Sequence, residues 1–322
     1  SFPTRRSSDL IFSFMYFIHF DVGMLLLVRF MHGFMMGIAS SVLGTIIAQI
    51  LPPARRGEGI GYYSMSSTLG TAIGPFLAIW MMLHIGYNAI FIVSSIIAVS
   101  CLIVAFLIRI PNLPQAAAAP IKENAVQLAK TSLMSRFIEP KALPISIIML
   151  LASICYSGVL SFINFYAKEI DLVETASFFF LTYAIAILIS RPITGPLMDR
   201  KGANVIMYPA FILMGIALIL LSTANSAWGL LLCAALLGFG YGNIQSVCQT
   251  IAVKSTSIER MGFATSTFFI FLDAGLGFGP YFIGKSLDYI GYSELYLYSA
   301  LAAFACIAVY FLLHGRHVKP SA

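Results

Sequence analysis

Polar residues arrive along this chain in short bursts, and the apolar stretches between them are too long and too continuous for the core helices of a soluble domain. Reading for unbroken hydrophobicity predicts helices over 10–20, 24–50, 60–83, 89–110, 142–166, 175–198, 203–222, 228–252, 262–284 and 294–314. At ~1.5 Å rise per residue, every segment from 24 onward can cross the ~30 Å hydrocarbon layer of a bilayer, whereas 10–20 is too short. The short alternating segments of a transmembrane β-barrel do not occur. The pattern predicts an all-α, polytopic membrane protein.

Composition agrees: 59% of the 322 residues are hydrophobic and 10% charged, with a mean hydropathy of +0.91. A soluble domain carries about 25% charged residues. The few charges are placed unevenly. Arg55 and Arg56 share one loop, Arg109, Lys122, Lys130, Arg136 and Lys141 belong to the long loop, and Arg200, Lys201, Lys254, Arg260, Arg316 and Lys319 fall in later loops of the same parity. The alternate loops hold Lys168 and Lys285. Basic residues collect on the cytoplasmic side, so the long loop and the C-terminus are expected inside. The formal net charge of +6 is then a topology signal, and no nucleic-acid partner is expected. Trp80 and Trp228 fall at predicted outer ends, where indole rings favour the headgroup layer. The five cysteines, Cys101, Cys155, Cys233, Cys248 and Cys306, lie inside spans without metal-ligand spacing and read as small buried apolar side chains.

The polar, proline-bearing stretch 111–141 reads as a cytoplasmic linker, with a short amphipathic helix expected around 126–137. On either side of it the chain repeats. At one offset of 205 positions, Gly33 meets Gly238, Gly37 meets Gly242, Arg55 meets Arg260, Gly57 meets Gly262, Gly70 meets Gly275, Gly74 meets Gly279 and Pro75 meets Pro280. Two homologous halves in the same orientation are expected, with a shared pathway between them near the midplane. The second half, 142–315, holds six predicted spans, and the first, 11–110, holds four. The repeat register places the counterparts of two further helices ahead of Ser1, so an N-terminally truncated chain is expected. Residues 1–10, "SFPTRRSSDL", occupy a register where the second half has membrane span; they resemble a translated sequencing adapter and are expected to be a non-native artefact.

The run Gly195-Pro-Leu-Met-Asp199-Arg200-Lys201-Gly202 resembles the cytoplasmic loop motif of the major facilitator superfamily. The resemblance implies a gate, in which the acid and the basic residues, Asp199 and Arg200 among them, latch helices together in the outward-facing state and part in the other; a solvated helix–helix turn with ordinary topogenic charge is the alternative. Arg29 to Gly37, "RFMHGFMMG", resembles the family's fourth-helix motif, which implies a proton-coupling role for Arg29; a snorkelling arginine is the alternative. The family often has Gln where this chain has His32, and His32 reads as an interior packing residue. Gly70-x-x-x-Gly74-Pro75 resembles the fifth-helix motif of the drug:proton antiporters, with Ala78-Ile79 replacing the pattern's final Gly-Gly. Paired glycines let backbones approach, and the proline bends the helix. Gly275, Gly279 and Pro280 form the second copy. Taken over the chain from about residue 10, the resemblance implies a twelve-helix, two-bundle facilitator of which about ten helices are present.

Asp273 comes from no motif. It lies near the middle of its span, where an ionised acid is expensive, so it is expected to be protonated or paired and to carry the coupling proton. The alternative is an interhelical hydrogen bond. Its counterpart in the first half is Thr68. Asn164, Asn243 and Gln245 are candidates for lining the substrate cavity, each also readable as helix glue, and Arg191 is placed near the inner end of its span. No nucleophile, acid/base or metal cluster and no phosphate-binding loop is found, so neither an enzyme nor a nucleotide-driven pump is expected, and no cofactor or metal. The expected function is proton-coupled efflux of small amphiphilic compounds by a monomer in a bacterial cytoplasmic membrane. A dedicated metabolite, sugar or metallophore carrier and a non-transporting sensor stay open.

Overall fold

A computed structural model describes Met15 and residues 21–107 and 138–317. Among these there is no strand. The helices are α1 (Val22–Ile50), α2 (Arg56–His84), α3 (Tyr87–Leu107), α4 (Leu143–Glu169), α5 (Val173–Lys201), α6 (Asn204–Ser222), α7 (Ala227–Lys254), α8 (Met261–Ser286) and α9 (Tyr292–Leu313). They match the predicted spans from 24 onward with ends displaced by four residues at most. All but α2 are long and apolar enough to cross a membrane. The segment 10–20, the stretch 126–137, residues 1–10 and most of the linker lie outside the described residues, as does the side chain of Trp80.

Local chemistry sets the ends. The carboxylate of Asp21 accepts from Gly23 N–H at 3.2 Å to start α1, and Pro52 and Pro53 stop its continuation. Ser226 caps α7 through Gly229 N–H at 3.2 Å. Gly202 closes α5 at φ +84°, a conformation open to glycine at no steric cost, and this explains the last glycine of the loop motif.

The repeat is visible in the backbone. α1, α2 and α3 begin at Val22, Arg56 and Tyr87; α7, α8 and α9 begin at Ala227, Met261 and Tyr292, each 205 positions later. Even the 3₁₀ turns Pro53–Arg55 and Ile258–Arg260 correspond. Helices α4–α9 form a bundle in which α8 packs on α4, α7 on α5 and α6, and α9 on α4 and α6. Its core is continuous, from Ile145 and Met149 on α4 through Phe179, Phe211, Leu237 and Phe268 to Tyr310 on α9. The two halves meet where α2 packs on α5 and α7 and α1 packs on α8.

The second Gly-x-x-x-Gly-Pro does what the spacing predicts. A Cβ on Gly275 would stand 2.6 Å from Ser153 Cβ and 2.8 Å from Leu150 O, and Gly279 meets Ser157 as closely. The first copy differs: nothing among the described residues lies within 4 Å of a Cβ at Gly70 or Gly74. In the second copy the close partner is α4, on which α8 packs. Both helices continue through their prolines. One cysteine departs from expectation: Cys101 is exposed on α3, a helix with little protein packed around it, while the other four are buried.

Gly275→Val is expected to destabilise the protein by about 1–3 kcal/mol through overpacking against α4, read as a lower melting temperature in detergent. Gly277→Val, in open space on the same helix, is expected to stay within about 0.5 kcal/mol.

Candidate functional site

The seam between the halves is tightest at the end carrying Arg55, Arg200, Lys201, Lys254 and Arg260, here the basic end. There the carboxylate of Asp199, in the last turn of α5, accepts from the backbone N–H groups of Gly57 at 3.0 Å and Glu58 at 2.9 Å. These are unpaired donors of the first turn of α2, where the helix dipole favours an anion. Lys254, ending α7, donates to the same carboxylate at 2.6 Å. One buried acid therefore joins three helices and both halves. Gly195, one turn earlier, lets α2 come close: a Cβ there would stand 2.9 Å from Glu58 Cα. Each glycine of the motif thus has a steric task and the aspartate an electrostatic one.

Inward of this contact lies an apolar plug of Ala48, Ile60, Val253 and Met261, packed against Leu51. Ala48 and Val253 are 205 positions apart, both with no exposure. Gly44 and Gln249, another pair at that offset, touch each other: a Cβ on Gly44 would lie 3.3 Å from Gln249 Nε2, 2.9 Å from Thr265 Cγ2 and 3.1 Å from Phe269 Cε2. The pseudo-two-fold axis passes between them. Beside the plug, a cavity of about 320 Å³ is lined by Ser41, Thr45 and Ile46 of α1 and by Glu259, Gly262 and Ser266. Further along, Cβ atoms built at Gly33, Gly37, Gly70 and Gly74 meet nothing within 4 Å among the described residues.

Comparison with known proteins follows this geometry. The family profile of the Major Facilitator Superfamily matches residues 8–228 and 173–322. The chain belongs to that superfamily. It is 24% identical over 280 residues to an uncharacterized MFS-type transporter, MJ1560, of Methanocaldococcus jannaschii, covering 86% of this chain and 71% of that protein. It is 23% identical over 287 residues to the multidrug resistance protein MdtG of Dickeya zeae (87% and 68% covered) and 23% over 295 residues to the staphylopine export protein of Staphylococcus aureus (88% and 72%). In fold it is similar to the human organic anion transporter MFSD10 (TM-score 0.74, 16% identity, 96% of this chain and 76% of that one). It is also similar to the facilitator FucP in the outward conformation (TM-score 0.68, 13% identity, 99% and 81%). The protein is a membrane transporter of this superfamily.

In this facilitator the sequence-predicted residues are distributed unevenly along the seam. Asp273 is exposed on the face of α8 turned away from Gly275 and Gly279. At ~1.5 Å per residue, Asp273 is about 18 Å from the basic end of α8 and Arg29 about 31 Å from that of α1, so the two stand at different levels. Asn243 is not a cavity group in this conformation. Its amide donates to Phe239 O at 2.8 Å and Ser190 Oγ at 3.1 Å and accepts from Thr194 at 2.8 Å, so it fastens α7 to α5. Gln245 is half-buried and Asn164 is exposed near the far end of α4. Arg191 is deeper than its sequence position suggested, ten residues from the end of α5 and 3% exposed.

Sequence reasoning missed Lys254, counted there only as loop charge, and missed that the partner of Asp199 is a helix N-terminus. The available signal was the pairing of Gly57 with Gly262 directly after the basic residues Arg55 and Arg260. Asp199→Asn removes the charge and keeps the shape, weakening the closed end by about 1–2 kcal/mol and raising its open population roughly 5- to 30-fold. A cysteine replacing Val253, with Cys101 changed to Ala, is then expected to react faster with a membrane-permeant maleimide by that factor.

Proposed function

We propose that this facilitator exports small amphiphilic compounds in exchange for protons, by alternating access between its two halves. The observation that carries the reading is the contact between the halves at the basic end, where a charged latch and an apolar plug close the seam. Such a contact has two discrete arrangements, made and parted, and a transporter of this kind needs both. The uneven loop charge supports a basic end and a C-terminus facing the cytoplasm of a bacterial cell, which makes the described state outward-facing. Asp199 with Lys254 and Arg200 would then act at the inner gate. Asp273 is the proton carrier in this reading, an exposed acid in mid-helix, with Arg29 as the second coupling residue on α1. The relatives named for multidrug resistance and for staphylopine export support efflux as the direction. The second of these names also favours a dedicated metallophore or metabolite carrier as the rival within the same fold.

The test is efflux of ethidium from energised cells producing the protein, with and without an uncoupler. Uncoupler-sensitive efflux is expected in the wild type and is expected to fall about tenfold or more in Asp273→Asn, which cannot release a proton. Undiminished efflux in the variant removes Asp273 from coupling. Absence of ethidium efflux in the wild type favours the dedicated carrier.

A further inference from the structure

Away from the helix ends, α4–α9 contain two charged residues, Arg191 on α5 and Asp273 on α8. Arg191 is the buried one. Its guanidinium donates to Ser246 Oγ and, at 2.7 Å, to Gly242 O, both on α7. These acceptors are neutral, and Ser246 in turn donates to Asn243 O at 3.2 Å. The remaining donor, Nε, has no partner. Three ion pairs occur among the described residues, Arg55–Glu58, Lys254–Asp199 and Arg260–Glu139, and Arg191 is in none of them.

The position of the side chain matters as much as its charge. Arg191 Cδ lies against α2, 3.7 Å from where a Cβ on Gly61 would stand, so the unpartnered Nε is next to the seam. Two turns earlier on α5, Tyr183 stacks on Tyr156 at 5.6 Å between ring centroids, and Tyr156 stacks on Tyr241 at 4.0 Å. A guanidinium keeps its charge at any physiological pH, and neutral acceptors satisfy its N–H groups without balancing that charge. The Nε and Nη edge is the fork that a carboxylate takes with both oxygens.

We propose that Arg191 is a recognition site for the carboxylate of an amphiphilic organic acid, uncovered when α2 withdraws from α5 and shut when α2 seats on it. In the described state Gly61 covers the side chain, and Gly242 O and Ser246 Oγ hold the guanidinium in place of a ligand. The stacked tyrosines offer an aromatic wall for the apolar body of such an acid. The proposal rests on the transport reading above and adds to it a site for acidic substrates.

The test is calorimetric binding of 2-naphthylacetate and its uncharged counterpart 2-naphthylacetamide to the purified protein. The acid is expected to bind about tenfold or more tightly than the amide. Arg191→Gln is expected to abolish that preference. Arg191→Lys, which keeps the charge and loses the fork, is expected to reduce the preference and serves alone if Arg191→Gln does not fold. Asp199→Asn, which loosens the seat of α2, is expected to raise affinity for the acid severalfold. Equal binding of the two compounds in both wild type and Asp199→Asn overturns the proposal, as does a preference that survives Arg191→Gln or is undiminished in Arg191→Lys. Ethidium flux without binding of the acid sinks the site and leaves the transport reading standing. Selective binding of the acid with no flux of any probe across liposomes under a proton gradient supports the site and counts against transport.

Discussion

The carboxylate of Asp199 at the N-terminus of α2 is the contact on which the described arrangement depends. It is an anion placed where backbone donors of one half converge, and it is neutralised by Lys254 from its own half. Charge-assisted hydrogen bonds of this kind are worth about 1.5–3 kcal/mol each when buried, and less where water reaches the lysine. The sum is large enough to set one state and small enough to be undone. The neighbouring features follow from it. Gly195 is small because α2 must come within reach of Asp199, and Gly202 ends α5 three residues after it.

Packing divides the molecule in the same way. Within α4–α9, small residues let backbones meet, as Gly275 and Gly279 do against α4, and the amides and hydroxyls of Asn243, Ser190 and Thr194 are satisfied side to side. That half is a rigid body. The seam instead combines an ionic contact, a four-residue plug and glycine faces, all of which separate without tearing a core. A rigid body moving against a weak seam is the mechanical requirement of alternating access.

Much of this was legible in the residues. Hydropathy located α1–α9 because a helix crossing lipid must be apolar for its whole length, and the 205-residue offset predicted the correspondence of helix starts. The loop motif located Asp199. Its partner was not legible, because a helix N-terminus is a donor without a side chain and leaves no letter in the sequence. Asn243 reads from the residues either as a cavity group or as helix glue, and its bonds to Ser190 and Thr194 are those of helix glue. Arg191 looked peripheral because α5 continues to Lys201, past the predicted end of the span. The contrast between Gly275 and Gly70 was invisible for a different reason, since identical motifs differ only in what stands opposite them.

Gly44 and Gln249 face each other across the axis that relates the halves. If two identical chains were joined about such an axis, each position on it would have to meet its own copy. A pair of glutamines would then compete for one space, and a pair of glycines would leave a void. Joining the copies into a single chain by gene duplication lifts that constraint, because one copy can become the knob and the other the socket. The Gly44–Gln249 contact is therefore a pairing that two identical chains about such an axis would be unable to make.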